Sequence, residues 1–212
     1  MPDRPVEFLA RLNAHLVRFG NVVSSFATSE IPEDLLRFCI VFLHSILEDT
    51  LRESIRYQYA SGHTAWLEHV TLPHTEDRKN KYTIAELLKH YPDQTIEDIA
   101  NVAANNHLAR VSFSRTDEIV GWLKKVDIDP EPIRPFLDAL AAGIERRHKI
   151  VHEADMSIDG TLAPISRRDM NHFFYAVFKV CFDVVGQLDG AVTGDQGLED
   201  ERDGLLERIR GD

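Results

Sequence analysis

Cysteine is scarce, with only Cys39 and Cys181 among the 212 residues. Both fall in apolar helical text, which predicts buried free thiols and leaves no disulfide framework. Long apolar runs are missing as well. The longest, Phe38-Cys-Ile-Val-Phe-Leu43, falls far short of the roughly 18 residues that a membrane span needs. The opening Met1-Pro-Asp-Arg-Pro-Val-Glu-Phe8 lacks a secretory pattern, so a cytoplasmic chain with no membrane partner is expected. No stretch alternates apolar and polar residues over a useful strand length, and no internal repeat is visible. No glycine-rich phosphate loop occurs, which argues against an ATP-driven enzyme. Serine and cysteine nucleophile motifs are absent, as is His-Glu-x-x-His. Bases are few: 24 Lys and Arg face 35 Asp and Glu, a net charge of −11. That balance excludes a protein that coats nucleic acid by bulk charge.

What remains is helical text throughout, with a hydrophobic content of 43% that can fill a sizeable core. Residues Val6 to about Phe26 place apolar side chains at 9, 12, 16, 19 and 23, predicting an N-terminal helix packed on the core within 1–30. Pro32-Glu-Asp opens a long helix to about Tyr59, with acids where the helix dipole favours them. Its expected core face is Leu35, Leu36, Cys39, Phe42, Leu43, Ile46, Leu47, Leu51 and Ile55. Shorter helices are expected at about 64–71, 83–91 and 95–106, with a polar loop over 69–81. Thr83 and Thr95 stand as N-caps, each with an acid three residues on (Glu86, Asp98).

Ser114 or Thr116 caps a further helix to about Val126, and Asp-Ile-Asp-Pro-Glu-Pro leads into a helix over about 131–152. A turn-bearing loop spans Met156 to Pro164. Ser166 then caps a last long helix to about Gln187, lined by Phe173, Phe174, Val177, Phe178, Cys181 and Val184 or Val185. The reading is all-α, with the main domain at 31–188 and an acidic, flexible tail at 189–212. The tail carries eight acids and three bases, −5 of the net charge. Folding back over a basic surface of the main domain would make it a competitor for anionic ligands there.

The stretch Ile144-Glu-Arg-Arg-His-Lys-Ile-Val-His-Glu-Ala154 stands apart. Leu137, Leu140, Ile144 and Val151 repeat at steps that turn one helix face to a core. Arg147 takes the seam position between Ile144 and Val151, His148 sits beside it, and His152 follows one turn later. A buried cation requires a carboxylate, an open cleft or an anionic ligand. Arg147 and His152 lie about 140° apart around a regular helix. They converge only if the helix ends near His152 or a second copy faces the first. Together they suit phosphate: arginine offers a fork of donors, and histidine moves protons near neutral pH. The competing reading pairs Arg146, Arg147 and Lys149 with Glu145, Glu153 and Asp155 on a solvated face. Zinc on His148 and His152 with Glu153 and Asp155 is disfavoured for want of further ligand spacing. His63, His69, His74, His90 and His107 are scattered without ligand spacing. His44 and His172 read as hydrogen-bonded core or interface histidines. Arg167-Arg168 reads as a charged first turn that can extend an RNA-facing surface.

Arg147-His-Lys-Ile-Val-His152 resembles the Arg-x4-6-His motif of HEPN (higher eukaryotes and prokaryotes nucleotide-binding) domains, in the version found in the RiboL-PSP-HEPN and related bacterial branches. Ser112-Phe-Ser-Arg-Thr-Asp-Glu-Ile-Val-Gly-Trp-Leu-Lys-Lys-Val-Asp-Ile-Asp129 is similar to the segment preceding the motif helix there. Leu47-Glu-Asp-Thr-Leu-Arg52 is similar to part of the first core helix. The resemblance covers about 33–188. It implies a helical bundle built around long antiparallel helices, dimerising so that both motifs line one cleft. It also implies metal-independent RNA cleavage without a cofactor. His152 would act as general acid/base on the 2′-hydroxyl attack, and Arg147 would stabilise the phosphoryl charge. His148 would orient substrate and Glu48 would hold Arg147. Arg146, Lys149 and Asp155 would support the site, and the product would carry a 2′,3′-cyclic phosphate. The implied partners are RNA, a second copy and a cognate antitoxin or anti-phage defence protein. The alternative within the family is a non-catalytic dimerisation or nucleotide-binding module. Outside it stands a zinc-dependent helical hydrolase.

Overall fold

The computed structural model describes residues 31–70, 84–157 and 159–188, together with seven helical residues between 10 and 20. The expected apolar face of the N-terminal helix, the Thr83 cap, most of the 69–81 loop, His74 and the acidic tail lie outside the described residues. The described chain is all-α: α1 (Glu33–Ala60), α2 (Ile84–His90), α3 (Ile96–Arg110), α4 (Thr116–Lys125), α5 (Leu137–Glu153) and α6 (Arg167–Gly186). Two 3-10 turns, Ala65–His69 and Glu131–Phe136, intervene. The first replaces the helix expected at 64–71. The second begins the expected 131–152 helix, because Pro135 has no N–H to donate to an α-helical ladder. An isolated bridge between Met156 and Leu162 closes the loop before α6. No described helix is long and apolar enough to cross a membrane.

Helices α1, α5 and α6 pack against one another and form the core. In α1, Pro32 precedes a first turn holding Glu33 and Asp34, and Leu36, Ile40, Leu43, Leu47, Leu51 and Ile55 are buried. Each such side chain stabilises the fold by about 1.5–3 kcal/mol. Leu35 and Phe42 are only half-buried, at the edge of the stripe. Helix α6 starts at a capping box in which the Ser166 hydroxyl accepts from Asp169 N–H and the Asp169 carboxylate accepts from Ser166 N–H. Thr95 and Asp98 do the same for α3, which runs on to Arg110. Neither Ser114 nor Thr116 caps α4; Arg115 takes that position without a side-chain cap. Trp66 of the first 3-10 turn is buried edge-on to Tyr59 of α1 and Trp122 of α4, joining the outer helices to the core. Both cysteines are buried free thiols, and burial pushes the Cys181 thiol up to about 12. Arg11 and His15 both reach Asp49 of α1, at 2.7 and 2.9 Å, and Arg18 lies over the Phe42 ring.

The α5–α6 contact depends on Gly143. A Cβ built there would sit 1.8 Å from Cδ2 of Phe173, itself only 2% exposed. Helix propensity alone would make Gly143→Ala stabilising by about 1 kcal/mol. Overpacking a well-filled contact costs about 1–3 kcal/mol, and here a buried ring must move. Gly143→Ala therefore lowers the melting temperature by several degrees. An unchanged or higher melting temperature would show that Phe173 yields freely.

Candidate functional site

The last two turns of α5 carry the motif, and its five basic positions have separate fates. Arg146 turns inward. Its Nη2 donates to Asp155 Oδ2 at 2.6 Å, to the Ala163 carbonyl at 2.8 Å and to the Pro164 carbonyl at 3.1 Å. Lys149 pairs with Glu145 at 2.9 Å, one turn back. The His148 and His152 rings are exposed and adjacent, with centroids 4.6 Å apart and planes inclined by 45°. Arg147 is half-buried, and its Nε is enclosed with no hydrogen-bond acceptor among the described residues. No described carboxylate forms an ion pair with it.

Several expectations are corrected here. Val151, expected on the buried seam, is 46% exposed; Ile144 is the last fully buried residue of α5, and Arg147 and Ile150 beyond it are partly covered. Glu48 does not hold Arg147. It accepts from Arg52 Nη2 at 3.3 Å, one turn along α1, because the i,i+4 neighbour lies nearest. Arg52 is further fixed by the carbonyls of Leu108 and Val111, at 3.3 and 3.1 Å. Asp155 is not on a solvated face but 2% exposed. Arg146 binds that carboxylate and two backbone carbonyls through Nη2 alone, while its Nε is enclosed without a partner among the described residues.

The burial of Asp155 follows from the backbone. Ala154 and Asp155 both adopt left-handed conformations, φ 50 and 57, and the Asp155 N–H returns to the Lys149 carbonyl. This terminates α5 and swings the carboxylate back beneath the helix. Asp155 Oδ2 then accepts from Arg37 Nε at 2.7 Å as well as from Arg146. Arg37 also donates to the Ala163 carbonyl, Glu33 and Asp34. Sequence reasoning missed Arg37, although a cation between Leu36 and Cys39 on a strongly apolar helix face was a visible signal.

The helix is regular past His152, ending at Glu153. Its end therefore does not bring Arg147 and His152 together; within one copy they stay about 140° apart around the axis. Arg147 instead neighbours α1, where its charge bears on His44. The expectation of a hydrogen-bonded core His44 holds: the ring is 1% exposed and bonds to the Phe113 backbone, while its Nε2 has no hydrogen-bond partner among the described residues. Burial lowers the affinity of this imidazole for a proton. The charges of Arg147 and Arg52 lower it further, against opposition from Glu48 and the Phe113 backbone. The stripe His44, Glu48, Arg52 was legible at four-residue spacing. Among the described residues no group of three or more His, Cys, Asp or Glu side chains is placed to hold a metal ion. No family model, curated protein or solved structure matches this chain.

Proposed function

We propose that this chain is a metal-independent endoribonuclease of the HEPN type, working as a homodimer. The observation that supports it best is the contrast between adjacent arginines. Both have an enclosed Nε without a partner, but Arg146 Nη2 is held by a buried carboxylate and carbonyls, whereas Arg147 is half-covered and meets no acceptor among the described residues. A partly desolvated guanidinium without a counter-charge is costly, and an oxyanion ligand relieves that cost. Phosphate matches its forked donors.

In this reading the α5 helices of two copies face each other. Arg147 and His152, which lie on different sides of one helix, then meet across the twofold axis. Val151, next to His152, is exposed and apolar, as are Met156 and Leu162 at the same end of α5. These are side chains that a second copy would cover. An imidazole at 152 removes the 2′-hydroxyl proton or protonates the leaving 5′-oxygen, and the guanidinium stabilises the pentavalent phosphoryl oxygens. His148, in ring contact with His152, orients it. The product is a 2′,3′-cyclic phosphate and a 5′-hydroxyl. A net charge of −11 favours a narrow set of RNA targets, in keeping with a cytoplasmic toxin or anti-phage factor that acts beside a cognate partner.

A second reading is a nucleotide-binding module without catalysis, favoured by the separation of Arg147 from His152 within one copy. Incubation of purified protein with RNA in EDTA separates the two. Cleavage leaving cyclic phosphate ends, slowed about 10²–10⁴-fold by His152→Ala, is expected for the nuclease. Intact RNA in the presence of wild-type protein would reject it, and Arg147-dependent binding without cleavage would favour the module.

A further inference from the structure

His148 and His152 stand one turn apart on α5, close to its C-terminal end, and both side chains are exposed. Their rings are in contact, with centroids 4.6 Å apart, and neither ring forms a hydrogen bond or ion pair with a described residue. A ligand arriving there displaces only water. Residues four apart on a helix project from the same side, which suits them to share one ligand. The spacing fits a metal ion. With metal–nitrogen bonds of about 2.0–2.1 Å and a tetrahedral angle, two imidazoles on one ion have centroids about 5 Å apart. Small turns of two solvent-facing rings about their soft terminal torsions close that difference, with no movement of the backbone.

The helix beneath the pair is held firm. A last helical turn ordinarily frays. Here the Asp155 N–H returns to the Lys149 carbonyl at 3.1 Å, and the Asp155 carboxylate is bound by Arg37 and Arg146. The surrounding charge is also less hostile to a cation than the string suggests. The Lys149 ammonium is paired with Glu145 at 2.9 Å, Arg146 is turned inward, and exposed Glu153 adjoins His152.

We propose that His148 and His152 form a chelating site for a divalent late-transition-metal ion such as Zn²⁺. Neutral imidazole suits such ions, whereas Mg²⁺ and Ca²⁺ favour oxygen ligands. No third His, Cys, Asp or Glu among the described residues joins the pair, so water fills the remaining positions. The ion takes up ring lone pairs, including the one with which His152 would accept a proton, and is therefore an inhibitor and not a cofactor. That inhibitory consequence rests on the nuclease reading, whereas the binding site stands without it.

Untagged full-length protein, stripped with EDTA and dialysed, is titrated with Zn²⁺ by calorimetry while its histidine ring signals are followed by NMR. Wild type takes up one ion per chain at this site, and the signals of His148 and His152 move together. His148→Gln and His152→Gln each weaken binding about 10²-fold, because a single imidazole loses the chelate advantage. Both side chains are exposed and unbonded, so both variants keep the wild-type melting temperature. Substituting exposed His90 in the same way leaves the affinity unchanged. No Zn²⁺ uptake by wild type overturns the proposal, and so does uptake that survives both substitutions. Added to an RNA cleavage reaction, saturating Zn²⁺ slows it about 10²–10⁴-fold, as loss of the acid/base group would, and EDTA restores the rate. Cleavage equal to or faster than that in EDTA overturns the inhibitory role. Wild type that binds the ion at this pair yet leaves RNA intact in EDTA upholds the site and rejects the nuclease reading.

Discussion

Asp155→Ala is expected to lower stability by about 3–5 kcal/mol, as much as truncating a large core side chain. The carboxylate is 2% exposed and accepts from both Arg37 and Arg146, so its removal leaves Arg37 only more exposed carboxylates, Glu33 and Asp34, and leaves Arg146 with carbonyls alone. Domains of this size have only about 5–15 kcal/mol in total. With a urea dependence of about 2 kcal/mol per molar, the unfolding midpoint drops by roughly 2 M. The loss is not a surface ion-pair effect, since the Arg37 side chain is 7% exposed and that of Asp155 only 1%. The two left-handed residues at 154 and 155 add to it: they cost about 1–3 kcal/mol each, and the buried carboxylate holds them in place. A midpoint within 0.3 M of wild type, or about 0.6 kcal/mol at that slope, would mean that water replaces the carboxylate at little cost.

Arg147→Gln is expected to have the opposite profile, with cleavage reduced about 10²–10³-fold and stability nearly unchanged. No hydrogen bond or ion pair to a described residue is lost with this guanidinium, so the folded state gives up little. Arg146→Gln serves as the internal contrast, because it breaks three hydrogen bonds and lowers the melting temperature. Measured together, urea midpoints and initial rates on one RNA separate the two arginines. Full activity of Arg147→Gln would remove the phosphate-binding role. Loss of activity that only tracks a loss of fold would do the same.

Much of the helical plan is local, and local signals made it legible. The Thr95–Asp98 capping box is spelled out over four residues and forms as read, and Ser166, read as a cap, forms a box of the same kind with Asp169. Glu33 and Asp34 mark the start of α1, and the three- and four-residue steps of α1 and α6 pick out most of the buried side chains. The misreadings occur where tertiary contacts decide. Val151 continues the periodicity of α5 yet is 46% exposed, while its neighbour Ile150 packs against the core. The residues 65–69 form a 3-10 turn around a Trp66 whose packing partners lie on α1 and α4.

The motif shows the same division. That cations interrupt an apolar seam at 146–149 is a property of the string, because helical geometry converts spacing directly into faces. Which cation is structural and which is unpaired is not. A step of one residue turns the side chain by about 100°, sending Arg146 toward the turn at 155–163 and Arg147 toward α1. The carboxylate that selects Arg146 also selects Arg37, 118 residues from Asp155 in the chain. A contact of that range leaves no periodic trace in the sequence. By itself the sequence determined an all-helical chain with its caps and a basic motif late in the domain. Only the packing of α1 against α5 decided that Asp155 is a buried anchor, that Glu48 belongs to Arg52, and that Arg147 meets no acceptor among the described residues.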